Sequence, residues 1–201
     1  MSMNREAVGE VRSAGTPVVK RTAIGQVFRG CIINTQQRDK LKDGAQVLNA
    51  NGKPRQELVV RCITLPGTTA PAGLGDDIAV PAPGDEVRLI LGGKSFAEWI
   101  ESTRQIGGQP LWGDIVEQRT THAQAYDANG QPKGSTISDQ AQVDALPRST
   151  AVGIYGPVTI ERADESDLTL SAYMRMAGER FNAYRNGERA PADTAADNDP
   201  F

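Results

Sequence analysis

Apolar positions in this chain gather in short runs rich in β-branched and aromatic residues, separated by glycine, proline and Asn-Gly turns. Thr22 to Asn34 (TAIGQVFRGCIIN) reads as the first strand, and Gly25 and Gly30 within it suggest bends or bulges. Residues 45–49 form a shorter apolar stretch, followed by Asn51-Gly52, a strong hairpin signal. Glu57 to Leu65 (ELVVRCITL) is almost continuously apolar and β-branched, the pattern of a central strand. The Pro- and Gly-rich stretch from Pro66 to Asp85 is too long to be structureless inside a core, so it is expected on the surface or across a binding face. Val87 to Leu91 (VRLIL) is a third strand.

The spacing then turns helical. Between Lys94 and Ile106 the residues Phe96, Trp99, Ile100 and Ile106 recur at helical intervals, with Glu98, Glu101 and Arg104 on the other side. Ser95 followed by Glu98 has the form of a capping box, and Gly107-Gly108 closes the helix. Trp112 to Tyr126 returns to strand composition, and DANGQPKG at 127–134 supplies a second Asn-Gly turn that echoes NANGKP at 49–54. Ala151 to Arg162 (AVGIYGPVTIER) is the last strand. From Ser166, the expected cap, Leu170, Tyr173, Met174, Ala177, Phe181 and Tyr184 form a helical stripe that stops at Gly187. This divides the chain into a flexible arm (1–20), a folded domain (21–163), a helix (164–187) and a tail (188–201) expected to be disordered.

Composition supports the β reading, since 21 Gly and 12 Pro imply much turn and loop, while 38% hydrophobic content suffices for a core. The formal net charge of -3 argues against a nucleic-acid binder until its distribution is considered. The last 14 residues carry Glu188, Asp193, Asp197 and Asp199 against Arg189 alone, and without them acidic and basic side chains are equal in number. A neutral body can still gather Lys and Arg on one face. Cys31 and Cys62 lie inside strand-like runs and read as buried thiols of a reducing cytoplasm; with His122 the only histidine, no zinc site is expected. Neither a signal peptide nor a membrane-spanning run is visible, so a cytoplasmic protein without a membrane partner is expected. His122 has no Ser or Cys partner in a motif, and no phosphate-cradling loop or paired-carboxylate signature appears, so neither catalysis nor a cofactor is expected.

The order is strand, strand over an Asn-Gly hairpin, strand, helix, strand, glycine-turned hairpin, strand, which is that of an OB-fold, although periodicity alone does not choose it over another five-stranded barrel. Three places resemble the single-stranded-DNA-binding proteins of bacteria and phages. Gly93-Lys94 after VRLIL resembles that family's glycine-lysine step into the helix, NANGKP before ELVVRCITL resembles its first hairpin, and DNDPF resembles its acidic tip. The Trp112 hairpin and GIYGPVTI are similar to the variants of actinobacterial phages. The resemblance implies a mainly β protein: a five-stranded OB-fold barrel with one short helix between strands 3 and 4, followed by a helix and an acidic tail. It implies sequence-independent binding and protection of single-stranded DNA in replication and recombination. Replication and recombination proteins would be recruited through Asp197, Asp199, Pro200 and Phe201. A β-rich virion component, or an OB-fold adaptor for RNA or protein, is the alternative.

Binding single strands without sequence preference takes cations for phosphates and ring faces for bases. Arg29, Arg61, Arg88 and Arg119 each stand alone among apolar or β-forming neighbours, where a charge alternating with core residues points outward. Ordinary solvated strand faces are the alternative. Lys53, Arg55 and Lys133 flank the two hairpin turns, and Lys94 stands at the strand–helix junction. Trp112, Tyr126 and Phe28 are candidate stacking rings, whereas Phe96 and Trp99 read as helix core. The stripe of Tyr173, Phe181 and Tyr184 reads as a docked helix or a dimer contact, which leaves a homodimer or higher homo-oligomer open.

Overall fold

The computed structural model describes residues 15–42, 45–49, 51–75 and 77–187. In chain order, β1 (Val18–Val19) precedes the long β2 (Val27–Asp39), a small hairpin of β3 (Leu41–Lys42) and β4 (Ala45–Gln46), and β5 (Gln56–Thr64). A second short hairpin, β6 (Ala72–Leu74) and β7 (Asp77–Ala79), leads to β8 (Glu86–Gly92) and α1 (Lys94–Gln105). Next come β9 (Ile115–Arg119), β10 (His122–Tyr126), β11 (Pro132–Ile137) and α2 (Gln140–Asp144). The described chain ends with β12 (Ala151–Tyr155), β13 (Val158–Glu161) and α3 (Leu168–Arg185).

Eight strands form one mixed sheet in the order β13-β9-β2-β5-β8-β1-β6-β7, and β11-β10-β12 form a separate three-stranded sheet. β5 lies between β2 and β8 with all but its first residue buried, which is why its sequence lacks alternation. Successive side chains still leave opposite faces. Ile32, Leu58, Val60 and Cys62 pack with Trp99 of α1, while Cys31, Ile33 and Ile63 pack with Met174, Ala177 and Phe181 of α3. The sheet is therefore a middle layer with a helix on each face. α3 approaches closely because residue 178 is glycine: a Cβ there would lie 2.8 Å from the Trp112 ring.

A five-stranded OB barrel is not what forms. The outer edge of β8, which a barrel would use for closure, is occupied by β1 running parallel to it (Val18 opposite Arg88), and the sheet continues outward through β6 and β7. Its other end, β13, meets α1 instead of a strand: the Ser102 hydroxyl oxygen accepts the Ile160 N–H at 2.7 Å, so the helix satisfies part of the sheet edge. Because α1 lies against both β8 and β13, the sheet curls around it.

Several local expectations change with the topology. Residues 15–20, assigned to a mobile arm, enter the sheet through β1, and the Pro66–Asp85 loop contains the β6–β7 hairpin. Ser95 is buried inside α1 with no side-chain cap at that helix, and Asp167, not Ser166, caps α3 by accepting the Thr169 N–H at 2.8 Å. The single strand expected over 151–162 is two strands in different sheets. β9 and β13 pair in the main sheet, β10 and β12 in the small one, so these four form one ribbon bent at Thr120-Thr121 and Gly156-Pro157. At the bend a Cβ on residue 156 would lie 1.6 Å from the Arg119 carbonyl oxygen, so only glycine fits. The tail 188–201 and most of the arm lie outside the described residues.

An ionic cluster ties the layers together. Arg61, whose side chain is 1% exposed, donates to the Glu86 carboxylate and, at 2.9 Å, to the Tyr184 hydroxyl. Tyr184 donates in turn to Glu86 at 2.6 Å, and the guanidinium lies 4.8 Å from its ring centroid. Glu86→Ala leaves Arg61 buried without that carboxylate and is expected to destabilise the chain by about 3–5 kcal/mol. Glu101→Ala, which removes only the exposed pair with Arg104, should change stability by at most about 1 kcal/mol. Denaturant unfolding measures both, and two equally small effects would contradict the buried cluster.

Candidate functional site

The strand register brings four distant cations to one end of the main sheet. β2 and β5 are antiparallel, so Lys40, just after β2, and Arg55, just before β5, emerge at the same end. Glu57 pairs with Gly92, which places the end of β8, and Lys94 beyond it, there too. Because β1 runs parallel to β8, the chain leaving β1 carries Arg21 to the same place, where its guanidinium donates to the Ile90 carbonyl at a long 3.5 Å. All four line a cleft of about 890 Å³ that also contains Gly93 and Phe96 at the start of α1.

Within this cleft the cations stand without counter-charges, unlike most of the arginines of the described chain. Arg29, Arg38, Arg61, Arg104, Arg119, Arg162, Arg175 and Arg180 each pair with a carboxylate. Among the described residues no carboxylate pairs with Arg21, Lys40, Arg55 or Lys94, and the one acid lining the cleft, Glu57, is held by Arg38 at 2.7 Å. The first turn of α1 carries neither a side-chain cap nor an acidic residue, so the positive end of its dipole also borders the cleft. Burial pulls the Arg21 guanidinium below its ordinary pKa, with the nearby Tyr155 phenol acting the other way. A partly desolvated cation with no counter-charge favours an incoming anion.

The opposite wall is the small sheet. In β10 the alternation puts His122, Gln124 and Tyr126 on the face that lines the cleft, with Ala123 and Ala125 buried on the other. β12 places Tyr155 directly opposite His122, and their rings stack with centroids 5.9 Å apart. The hydroxyls of Tyr155 and Tyr126 are hydrogen-bonded at 2.5 Å. Gly153 makes room, since a Cβ there would lie 2.3 Å from the Tyr155 hydroxyl. Burial first, and the bond to Tyr126 second, push the Tyr155 pKa up to about 12, so the phenol is neutral at physiological pH. Tyr126 also lines a neighbouring hollow of about 550 Å³ with Lys42 and residues 127–130, which extends the path along the small sheet.

Two turns of one design stand at the rims. Asn49 accepts the N–H groups of Asn51 and Lys53, and Asp127 accepts those of Asn129 and Gln131, each through one side-chain oxygen. The echo between NANGKP and DANGQP is therefore structural as well as sequential.

Of the residues expected from sequence to bind, Arg55, Lys94 and Tyr126 line the cleft, and Lys53 is exposed in the Asn49 turn at its rim. Lys133 is exposed on β11, away from the cleft lining. Phe28, Trp112, Arg61 and Arg88 are corrected: all four are buried, and Arg88 donates to the Thr16 carbonyl at 2.9 Å. Arg29 and Arg119 share Glu117 on β9, outside the cleft. Outward pointing holds for a sheet with one wet face, whereas helices cover both faces of this one, so charges between them pair internally. Arg21, Lys40, Phe96, His122 and Tyr155 were not among those expected. Alternation in HAQAY could have grouped His122 with Tyr126, but nothing local marks Arg21 or Lys40. Asp197, Asp199, Pro200 and Phe201 lie outside the described residues.

No family model, curated protein or solved structure matches this chain. Among the described residues no helix is long and apolar enough to cross a membrane.

The phenol pair has a measurable signature. The folded chain holds the Tyr155 proton more tightly than an unfolded chain with the ordinary value of 10.0. This contribution to stability is complete below about pH 10 and is lost as the pH rises towards about 12. Tyr126→Phe should lower the Tyr155 midpoint part-way towards 10.0, because burial, the larger cause, persists. NMR titration with isotope-labelled tyrosine reads this directly, and an unmoved midpoint would mean that the two phenols are not bonded.

Proposed function

We propose that the chain binds single-stranded nucleic acid, without marked sequence preference, along the cleft between the end of the main sheet and the small sheet. The observation that carries this reading is the convergence of Arg21, Lys40, Arg55 and Lys94, none in an ion pair among the described residues, opposite a wall of ring-bearing side chains. Cations without counter-charges attract a polyanion and gain from the release of its condensed counterions. Rings inside a cleft are reached by unstacked bases and not by those of a closed duplex. The amide side chains that line the cleft, Asn49, Gln56 and Gln124, are hydrogen-bonded within the protein, which fits binding through backbone and stacking. Under the same reading, the acidic segment with Asp197, Asp199, Pro200 and Phe201 serves as a docking peptide for replication and recombination proteins.

Titrating a labelled oligo-dT at several salt concentrations tests the cleft. Four phosphate contacts predict a slope of about −3 in log affinity against log salt, or about fiftyfold weaker binding between ~50 and ~200 mM. Lys40→Glu, Arg55→Glu and Lys94→Glu together, all at exposed positions, should reduce affinity at least about a hundredfold, whereas Arg104→Glu and Arg175→Glu should leave it unchanged. Salt-independent binding, equal affinity for a duplex of the same length, or an unaffected triple variant would overturn the reading.

Deleting residues 196–201 is expected to leave oligonucleotide affinity unchanged or raised, since it removes negative charge and no cation. Weaker binding by the shortened chain, measured in the same titration, would contradict the division between cleft and acidic segment.

A further inference from the structure

Within the cleft, one cluster has more order than a cationic groove requires. Neither Tyr155 nor His122 belongs to either apolar core, yet both rings are held in place. Tyr155 is fixed by stacking on His122, by the phenol–phenol bond to Tyr126, and by the space that Gly153 leaves beneath its hydroxyl. Arg21 lines the same cleft, close enough to couple electrostatically to the Tyr155 phenol, and its only described hydrogen bond is the long one to Ile90. A fixed ring beside an under-bonded guanidinium matches the two halves of a nucleotide: a flat, weakly polar base and an anionic phosphate.

We infer that Tyr155, stacked on His122 and tethered by Tyr126, forms a base-stacking subsite of the cleft, with Arg21 taking the adjoining phosphate. The inference rests on the reading of the cleft as a nucleic-acid site and adds where a base goes. A ring already immobilised loses little conformational freedom when a base stacks on it, so more of the stacking free energy appears as affinity. Gln124 on the same face donates its amide to backbone carbonyls of its own small sheet, so it is engaged there and the subsite takes bases by their faces.

The test compares a short oligo-dT with an abasic deoxyribose-phosphate oligomer of the same length, using the full chain. Wild type should prefer oligo-dT by about five- to 150-fold, the range given by one stacked base. Tyr155→Leu should lose that preference by weakening oligo-dT alone, while Tyr155→Phe, which keeps the ring, should retain most of it. Arg55→Gln should weaken both oligomers alike, since it acts on phosphates. Photo-crosslinking of an iodouracil-substituted oligomer to wild type should map to Tyr155 or His122, which needs no variant to fold. Salt-dependent binding with no preference for bases, an undiminished preference in Tyr155→Leu, or crosslinks confined to other residues would overturn the subsite while leaving the cleft reading intact. Binding of neither oligomer would sink both.

Discussion

A guanidinium kept out of water needs its counter-charge inside the protein, and Arg61 sets how the layers of this fold meet. The groups that satisfy it come from β8, through Glu86, and from α3, through Tyr184. Burial, then the bond to Glu86, raises the Tyr184 pKa, so the phenol keeps its proton and can donate to the carboxylate while accepting from Arg61. Apolar contacts between α3 and the sheet are non-directional and would tolerate a rotated or shifted helix. Hydrogen bonds to a buried ion pair do not. The cluster therefore supplies orientation, while Met174, Ala177 and Phe181 are buried in the apolar contact with the sheet.

Covering both faces of the sheet also sorts the cations. A buried charge must be neutralised locally, as Arg61 is by Glu86 and as Asp114 is by Arg162. Cations beyond the strand ends, not held between a helix and the sheet, escape that requirement. Lys40, Arg55 and Lys94 all follow or precede strands at one end, and Arg21 joins them because β1 runs parallel to β8. Positive potential concentrates there without any local run of Lys and Arg in the sequence. The near-balance of acids and bases over residues 1–187 is compatible with a strongly cationic cleft for this reason.

Much of the local structure was legible. The helical spacing at 94–106 and 168–185, the Asn-Gly turns at 51–52 and 129–130, and the buried run of β5 appear where their patterns indicate. Local pattern does not determine the global arrangement. Alternation shows that a strand has two faces and is silent about whether the second is wet, so Arg61 and Arg88 looked solvent-facing while both are buried. Closure is not legible for a related reason: whether β8 ends a barrel or continues a sheet depends on Val18 and Val19, two residues too few to carry a periodic signal. The cleft itself was half legible. Arg55, Lys94 and Tyr126 flank recognisable turns and a helix start, but Arg21 and Tyr155 meet only through a register that no window of sequence contains.

The bent ribbon decides whether there is a cleft at all. β9 and β13 continue into β10 and β12 with pairing preserved on both sides of the bend, so an unbent ribbon would extend the main sheet past its end and carry His122 and Tyr155 away from the cations. Two features enforce the turn. Gly156 lets the chain pass against the Arg119 carbonyl, where any side chain would collide, and the buried Thr120 hydroxyl donates to the Ala23 carbonyl and accepts the Gln26 N–H. Thr120 thereby anchors the bend to the segment between β1 and β2, the same segment that carries Arg21. One local geometry fixes both the aromatic wall and the path of the half-buried arginine facing it. Their spacing is consequently set by backbone rather than by long side chains, as a preorganised binding cleft requires.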